Sequence, residues 1–272
     1  RQQLLATFAN LTAIAVERAR LAEDAERARV EVETERTRSA LLSAVSHDLR
    51  TPLAVIAGAA SSLRDGAALP EPMRRELAGT IFEEAGRLNR LVGDLLDVTR
   101  LESGAVRARV EWHSLEEVVG AVLVRTENQA RGRRVTFTVP PGLPLVPLDD
   151  VLYSQAVTNL LENALHYTPA GAPVEITAML AKGVLALEVR DHGAGLPAGE
   201  EGQVFEKFWR GNARRERAGA GLGLTIARGI ATAHGGRLTA ANHPDGGAVF
   251  RLEIPAAGEP PPVEAEQPES ET

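Results

Sequence analysis

The chain has 272 residues, 44% of them hydrophobic, and a formal net charge of −7, which is enough apolar mass for more than one globular unit. Five acidic residues lie after Ala256, so the remainder is close to neutral and lacks the basic excess of a nucleic-acid binder. There is no cysteine, which excludes disulfides and thiolate metal sites, and no apolar run of about eighteen residues, which excludes a transmembrane helix within these residues.

From Arg1 to about Glu102 the pattern is helical. Leu11, Ile14, Leu21, Ala25, Ala28 and Val32 keep a near-heptad spacing, broken by Arg18, and their small seam residues predict a thin two-stranded coiled coil. A single solvated helix is the alternative, but a stretch this long buries too little without a partner chain. Because Arg1 falls within this pattern, a longer parent protein is expected, with any membrane anchor upstream and the present segment cytoplasmic.

Leu42, Val45, Leu49, Leu53, Ile56, Ala60 and Leu63 fall three or four apart and predict one buried stripe. His47 lies two residues from both Val45 and Leu49, roughly 200° around a helix from them, and so faces solvent. Pro52 offers no N–H to the carbonyl of Asp48, which predicts a bend or loosened turn just after His47. Alone, His47 is an ordinary exposed histidine; the nucleotide motifs downstream give it a task. Gly66 and the following residues end this helix, and Pro70 and Pro72 flank the start of the next. That helix carries Leu77, Ile81, Leu88, Leu91, Leu95 and Val98 on one side. Two antiparallel helices with one stripe each are half of a four-helix bundle, which a homodimer would complete.

After Ser103 and Gly104 the pattern becomes mixed. Helices are predicted over Leu115–Gln129, Asp150–His166 and Gly221–His234, and strands over Arg134–Val139, Val174–Leu180, Val184–Arg190, Arg237–Asn242 and Ala248–Ile254. Turns fall at Lys182-Gly183 and Asp245-Gly246-Gly247. This order predicts an α+β sandwich, one mostly antiparallel sheet with helices on one face. The Pro- and Glu-rich stretch after Ile254 reads as disordered.

Several short motifs in this region make sense together. Asn159 and Asn163 share a helical face, with His166 a turn further on; two amides on one face call for a polar ligand or a water network. An Asn carbonyl oxygen is also a hard ligand of the kind Mg²⁺ accepts. Strand parity puts Asp191 on the apolar face with Leu185, Leu187 and Val189, and an adenine amine is a good donor for an inward carboxylate. Gly193 and Gly195 let the backbone turn sharply or approach a ring. Gly219, Gly221, Leu222 and Gly223 run into a helix, whose N-terminus presents N–H groups to phosphates. No strand precedes them, which disfavours a dinucleotide fold. Between these motifs, Lys207, Arg210, Arg214, Arg215 and Arg217 read as cations on a mobile lid anchored by Phe205, Phe208 and Trp209.

S-H-D-L-R-T-P-L (Ser46–Leu53), N-L-L-E-N-A (Asn159–Ala164), D-H-G-A-G (Asp191–Gly195), F-E-K-F-W-R (Phe205–Arg210) and G-A-G-L-G-L (Gly219–Leu224) follow one another in the order and spacing of the H, N, G1, F and G2 boxes. On these motifs the chain resembles bacterial sensor histidine kinases over residues 37–255, and is most similar to the potassium- and turgor-responsive (Kdp) sensor kinases. The helix Leu4–Ala25 resembles the closing helix of a GAF-type sensor domain. The resemblance implies a sensor helix and signalling coiled coil over residues 1–36, a dimerisation and phosphotransfer domain over 37–103, a linker over 104–111, and an ATP-binding domain over 112–255, with an acidic tail over 256–272. The implied architecture is long helices forming a dimeric four-helix bundle, followed by a Bergerat-type α/β sandwich as in the GHKL ATPases.

The activity so implied is ATP-dependent autophosphorylation of His47, then transfer to an aspartate of a response-regulator receiver domain. Asp48 would be the general base, and Thr51 would align a water for reverse phosphatase activity. Asn163 would hold Mg²⁺ and Asn159 would support metal or phosphate. Asp191 would read adenine while Tyr167 packs on the ring, and Gly219, Gly221 and Gly223 would hinge the phosphate lid. His166 and Lys207 stand where relatives often have Lys and Arg. A GHKL-type ATPase clamp needs no His47, and a non-enzymatic dimeric scaffold needs no intact Asn163, Asp191 or lid glycines; these are the rival readings.

Overall fold

The computed structural model describes residues 45–65, 69–130, 132–209 and 221–258, with scattered positions between 17 and 32. The chain divides into two compact units, residues 1–81 and 82–272. Leu11, Ile14, Leu42, Gly66 and the acidic tail beyond Gly258 lie outside the described residues. Leu21, Ala25, Ala28 and Val32 are helical and exposed.

In the first unit, α1 is helical without a break over residues 45–65. The loosened turn expected at Pro52 therefore does not interrupt it. The Thr51 hydroxyl donates to the His47 carbonyl at 3.3 Å, a side-chain bond one turn back beside the position where proline removes a backbone donor. The covered side of α1 passes through Pro52 and Ala59, with Val45, Leu49, Ile56 and Leu63 half-buried. Leu53 and Ala60, expected in the stripe, are exposed; the seam steps alternately three and four through Pro52 and Ala59 instead. α2 spans Glu71–Glu102; it starts in this unit and its residues from Phe82 on belong to the second. Pro72 occupies its first turn, where a missing N–H costs nothing, and the Arg74 N–H donates to the Pro70 carbonyl at 3.1 Å. Among the described residues no helix is long and apolar enough to cross a membrane.

The second unit holds a five-stranded sheet in the order β2 (Val135–Thr138), β4 (Val174–Ala181), β5 (Val184–Arg190), β7 (Ala248–Pro255), β6 (Arg237–Asn242). Only β2 and β4 run parallel, so the sheet is mostly antiparallel as expected. Register aligns Ile176, Val189 and Phe250 in one row, and Ala178, Leu187, Leu252 and Leu238 in the next. All of these are buried, while Glu188, Arg251 and Glu253 alternate with them and pair with one another on the opposite face. The apolar face is covered by α3 (Leu115–Ala130), α4 (Asp150–Tyr167) and α5 (Gly223–Ala233), with α4 lying between the other two. Fully buried Tyr153, Leu160, Leu161, Ile226 and Ile230 fill the layer between sheet and helices.

A two-stranded ribbon of β1 (Glu111–His113) and β3 (Val146–Leu148) was not foreseen. Each strand has three residues and β3 carries Pro147 at its centre, so neither reads as a strand by composition.

Candidate functional site

α4 carries half of the site, and its start is firmly set. Asp149 caps it by accepting from the Leu152 N–H at 3.0 Å, while its other carboxylate oxygen accepts from the Arg109 N–H at 2.8 Å. The Asp149 N–H in turn donates to His234 Nε2 at 3.0 Å, and His234 Nδ1 lies 2.9 Å from the Ile230 carbonyl, which ties α4 to the end of α5.

Two turns of α4 then present Asn159, Asn163, His166 and Tyr167. The Asn159 Nδ2 is buried and has no hydrogen-bond partner among the described residues. An unpaired buried amide donor costs about 1–3 kcal/mol, a cost that a phosphate oxygen would remove. Its side chain lies 3.7 Å from where a Cβ on Gly223 would stand, so it borders the start of α5. The His166 and Tyr167 rings meet edge-on with centroids 4.9 Å apart.

Asp191 follows β5 on the helix-facing side and is 2% exposed, as strand parity requires. Its Oδ1 accepts from the Gly193 N–H at 2.8 Å and the Ala248 N–H at 3.1 Å. Both bonds fall on one oxygen, so among the described residues Oδ2 remains available to a donor. A Cβ on Gly193 would stand 2.5 Å from the Tyr167 carbonyl oxygen, so the Asp191–Gly193 turn lies directly on the end of α4. Glycine at 193 thus serves close approach.

α5 begins at Gly223 after Leu222, whose side chain makes no capping hydrogen bond. Leu222, at its N-cap, has no side-chain oxygen to offer, and a helix start without such a cap is an arrangement that receives anions. The start of α5 is bonded to the Phe205–Phe208 stretch: the Thr225 hydroxyl donates to the Phe205 carbonyl at 2.9 Å, and the Phe208 N–H donates to the Gly221 carbonyl at 3.0 Å. Gly221 has φ +71°, and a Cβ there would stand 2.9 Å from the Trp209 carbonyl oxygen. Phe205 is buried edge-on against Phe250, the apolar anchor expected of it. The Lys207 ammonium pairs with Glu102 at 2.5 Å. Arg210, Arg214, Arg215, Arg217 and Gly219 lie outside the described residues.

In the first unit the His47 side chain is 79% exposed, and its Nδ1 lies 3.3 Å from Asp48 Oδ1. A carboxylate there accepts from a protonated Nδ1, which leaves the Nε2 lone pair to solvent. Thr51 sits one turn on, bonded back to the His47 carbonyl.

Sequence reasoning missed Asn242, Gly247, Ala248 and Glu102. The first three hold the Asp191 turn from across the β6–β7 hairpin, and the last holds Lys207 from 105 residues away. Only the Asp245-Gly246-Gly247 turn gave a linear signal, and it marked the hairpin alone.

The chain matches two family models. Residues 37–104 match the His Kinase A (phospho-acceptor) domain, and residues 148–258 match the histidine kinase-, DNA gyrase B- and HSP90-like ATPase. The chain belongs to the sensor histidine kinase family. This histidine kinase is 43% identical to the sensor protein KdpD of Escherichia coli (strain K12) over 94% of its own length and 28% of that protein's. It spans about three tenths of the length of the curated relatives it matches. Among solved structures it resembles full-length ShkA in complex with AMPPNP, at 26% identity and TM-score 0.62, covering 82% of this chain and 47% of that one. It shares its fold with the histidine kinase ThkA, solved in complex with the response regulator protein TrrA, at 24% identity and TM-score 0.63, covering 80% of this chain and 61% of that one.

Proposed function

We propose that His47 takes the γ-phosphoryl group of ATP and passes it to an aspartate of a response-regulator receiver domain. One observation carries this reading: an exposed imidazole with Nδ1 turned to Asp48, in a chain whose other unit holds an adenine-competent carboxylate at Asp191. The Nε2 lone pair of His47 attacks the γ-phosphorus, the bond from phosphorus to the bridging oxygen breaks, and ADP leaves with those electrons. Asp48 receives the Nδ1 proton as the ring becomes neutral phosphohistidine. Transfer onward forms an aspartyl phosphate and returns the electron pair of the broken N–P bond to Nε2.

In the nucleotide site, Asp191 accepts from the adenine amine while Tyr167 and Gly193 bound the ring. The start of α5, with Gly221, Leu222 and Gly223, receives the phosphates together with Asn159. His166, a turn beyond Asn163 on α4, and Lys207, once released from Glu102, would serve the phosphate side, with Arg210 and Gly219 completing the lid. Asn163 would hold Mg²⁺, which neutralises phosphate charge when bound. The Asn159 amide, without a partner among the described residues, and the α5 start, whose N-cap residue Leu222 makes no capping bond, support this placement.

The exposed Leu53, Val55, Phe82 and Leu96 on α1 and α2 support a homodimeric helix bundle. Domain limits of 37–103 and 112–255, reverse phosphatase action through Thr51, and a potassium or osmotic stimulus belong to the same reading. Incubation with γ-labelled ATP and Mg²⁺ tests it. An acid-labile, alkali-stable label is expected, lost in His47→Ala and moved to an added receiver domain. Release of phosphate with no labelled protein would favour an ATPase clamp instead.

A further inference from the structure

The Asp191–Leu196 turn is gripped at both ends by a single rung of the β6–β7 hairpin. Asn242 and Ala248 are cross-strand partners on that rung. At the near end, the Asp191 N–H donates to the Ala248 carbonyl at 2.9 Å, and the Ala248 N–H donates to Asp191 Oδ1 at 3.1 Å. At the far end, the Leu196 N–H donates to Asn242 Oδ1 at 2.6 Å, and Asn242 Nδ2 donates to the Leu196 carbonyl at 2.9 Å. A Cβ on Gly195 would stand 2.6 Å from Asn242 Oδ1, so the amide lies directly against the turn.

The two bonds to Leu196 require one acceptor and one donor on the same planar group. Among side chains of this length only an amide supplies both. Between the two grips lie Gly193 and Gly195, the residues with the greatest freedom to lose on ordering. Released at Leu196, the turn would swing on its near end, where the carboxylate itself is one of the ties.

We propose that Asn242 is a positioning residue for base recognition: it fixes the far end of the Asp191–Leu196 turn and thereby sets where the Asp191 carboxylate meets the base. This rests on the reading of Asp191 as the adenine contact. A well-placed carboxylate accepts from the adenine amine and opposes the carbonyl that guanine carries at the same position. Loosening the turn weakens both the attraction and the opposition, so selectivity falls along with affinity.

The test measures ATP and GTP binding to the full chain by calorimetry, with Mg²⁺, for the wild type and for Asn242→Ala, Asn242→Asp and Asp191→Ala. Asn242 is exposed at a strand end, and Asp is nearly isosteric with it. Asn242→Ala should weaken ATP about tenfold, the equivalent of two modest hydrogen bonds, with little change for GTP, so that the ATP-to-GTP preference narrows. Asn242→Asp should fare no better than Ala, because it turns a second oxygen toward the Leu196 carbonyl; mere space-filling would predict full retention. Wild-type ATP affinity in both Asn242 variants, alongside loss in Asp191→Ala, overturns the proposal and leaves the base contact standing. An equal loss for ATP and GTP also overturns it, since the turn would not then act through the base. Normal ATP binding by Asp191→Ala removes the adenine reading itself, and this proposal with it.

Discussion

The Lys207 ammonium lies 2.5 Å from a carboxylate oxygen of Glu102, the last residue of α2. A cation that the sequence offers to nucleotide phosphate is thus held by a carboxylate of its own chain. The pair is partly exposed and contributes only ~0.2–1 kcal/mol, less than a multiply charged phosphate can offer the same ammonium. Glu102→Gln should therefore free Lys207 and lower the Kd for ATP about two- to threefold at low salt, an effect that fades at high salt. Lys207→Ala should move the Kd the other way. Titration of both variants at two ionic strengths checks this; unchanged affinity in both would assign Lys207 to the ion pair alone.

Asn159 carries a buried amide donor with no acceptor among the described residues. A group kept for a ligand has a recognisable signature: its removal leaves the unliganded fold no worse and harms binding. Asn159→Ala should keep or slightly raise the unfolding midpoint without nucleotide, since it deletes an unsatisfied donor. With ATP and Mg²⁺ present, the stabilisation seen in the wild type should shrink, because a weaker ligand shifts the midpoint less. Thermal melts with and without nucleotide read both effects. A large loss of unliganded stability would make Asn159 a packing residue.

Gly246 and Gly247 are neighbours in one turn, both with positive φ, yet their surroundings differ. A Cβ on Gly246 meets nothing within 4 Å, whereas one on Gly247 would stand 1.9 Å from the Asp191 carbonyl oxygen. Gly246→Ala carries only the left-handed backbone penalty, ~1–2 kcal/mol. Gly247→Ala must also push the Asp191 backbone aside, raising the loss to ~3 kcal/mol or more. Urea unfolding separates the two, and ATP binding should weaken in Gly247→Ala alone. Equal losses would show that the close approach has no energetic weight.

Periodicity made most of the elements legible. Val184–Arg190 and Arg237–Asn242 fall at their expected bounds, and parity alone puts Asp191 on the buried face. The helices carrying Asn159 and Gly223 were also foreseen. What stayed hidden depends on pairing between distant segments. β1 and β3 gain strand character only from each other. Asn242 looks like a strand-ending polar residue until Leu196 is brought beside it. The seam of α1 was misplaced by one position because Pro52 and Ala59 were passed over for the larger Leu53 and for Ala60.

Asp94 on α2 stands among other acids, with Asp97 on its own helix and Glu162 on α4, while Gln155 donates to Asp97 at 2.6 Å. Partial burial, then the charges of Asp97 and Glu162, push the Asp94 carboxyl up to about 6, against the pull of Arg90. Between about pH 4 and pH 6 the native protein holds a proton there that the unfolded chain has released. The stability this group adds is therefore complete below about pH 4 and lost as pH rises through about 6. Solvent screening at a partly exposed site reduces the effect to ~1 kcal/mol. Asp94→Asn, which stays neutral throughout, should match the wild type near pH 4 and exceed it by that amount at pH 8. Denaturant unfolding of both proteins across this range checks the sign: a difference that does not change with pH would assign the effect to packing, and one that favours the wild type at pH 8 would mean the charged Asp94 is stabilised where it stands.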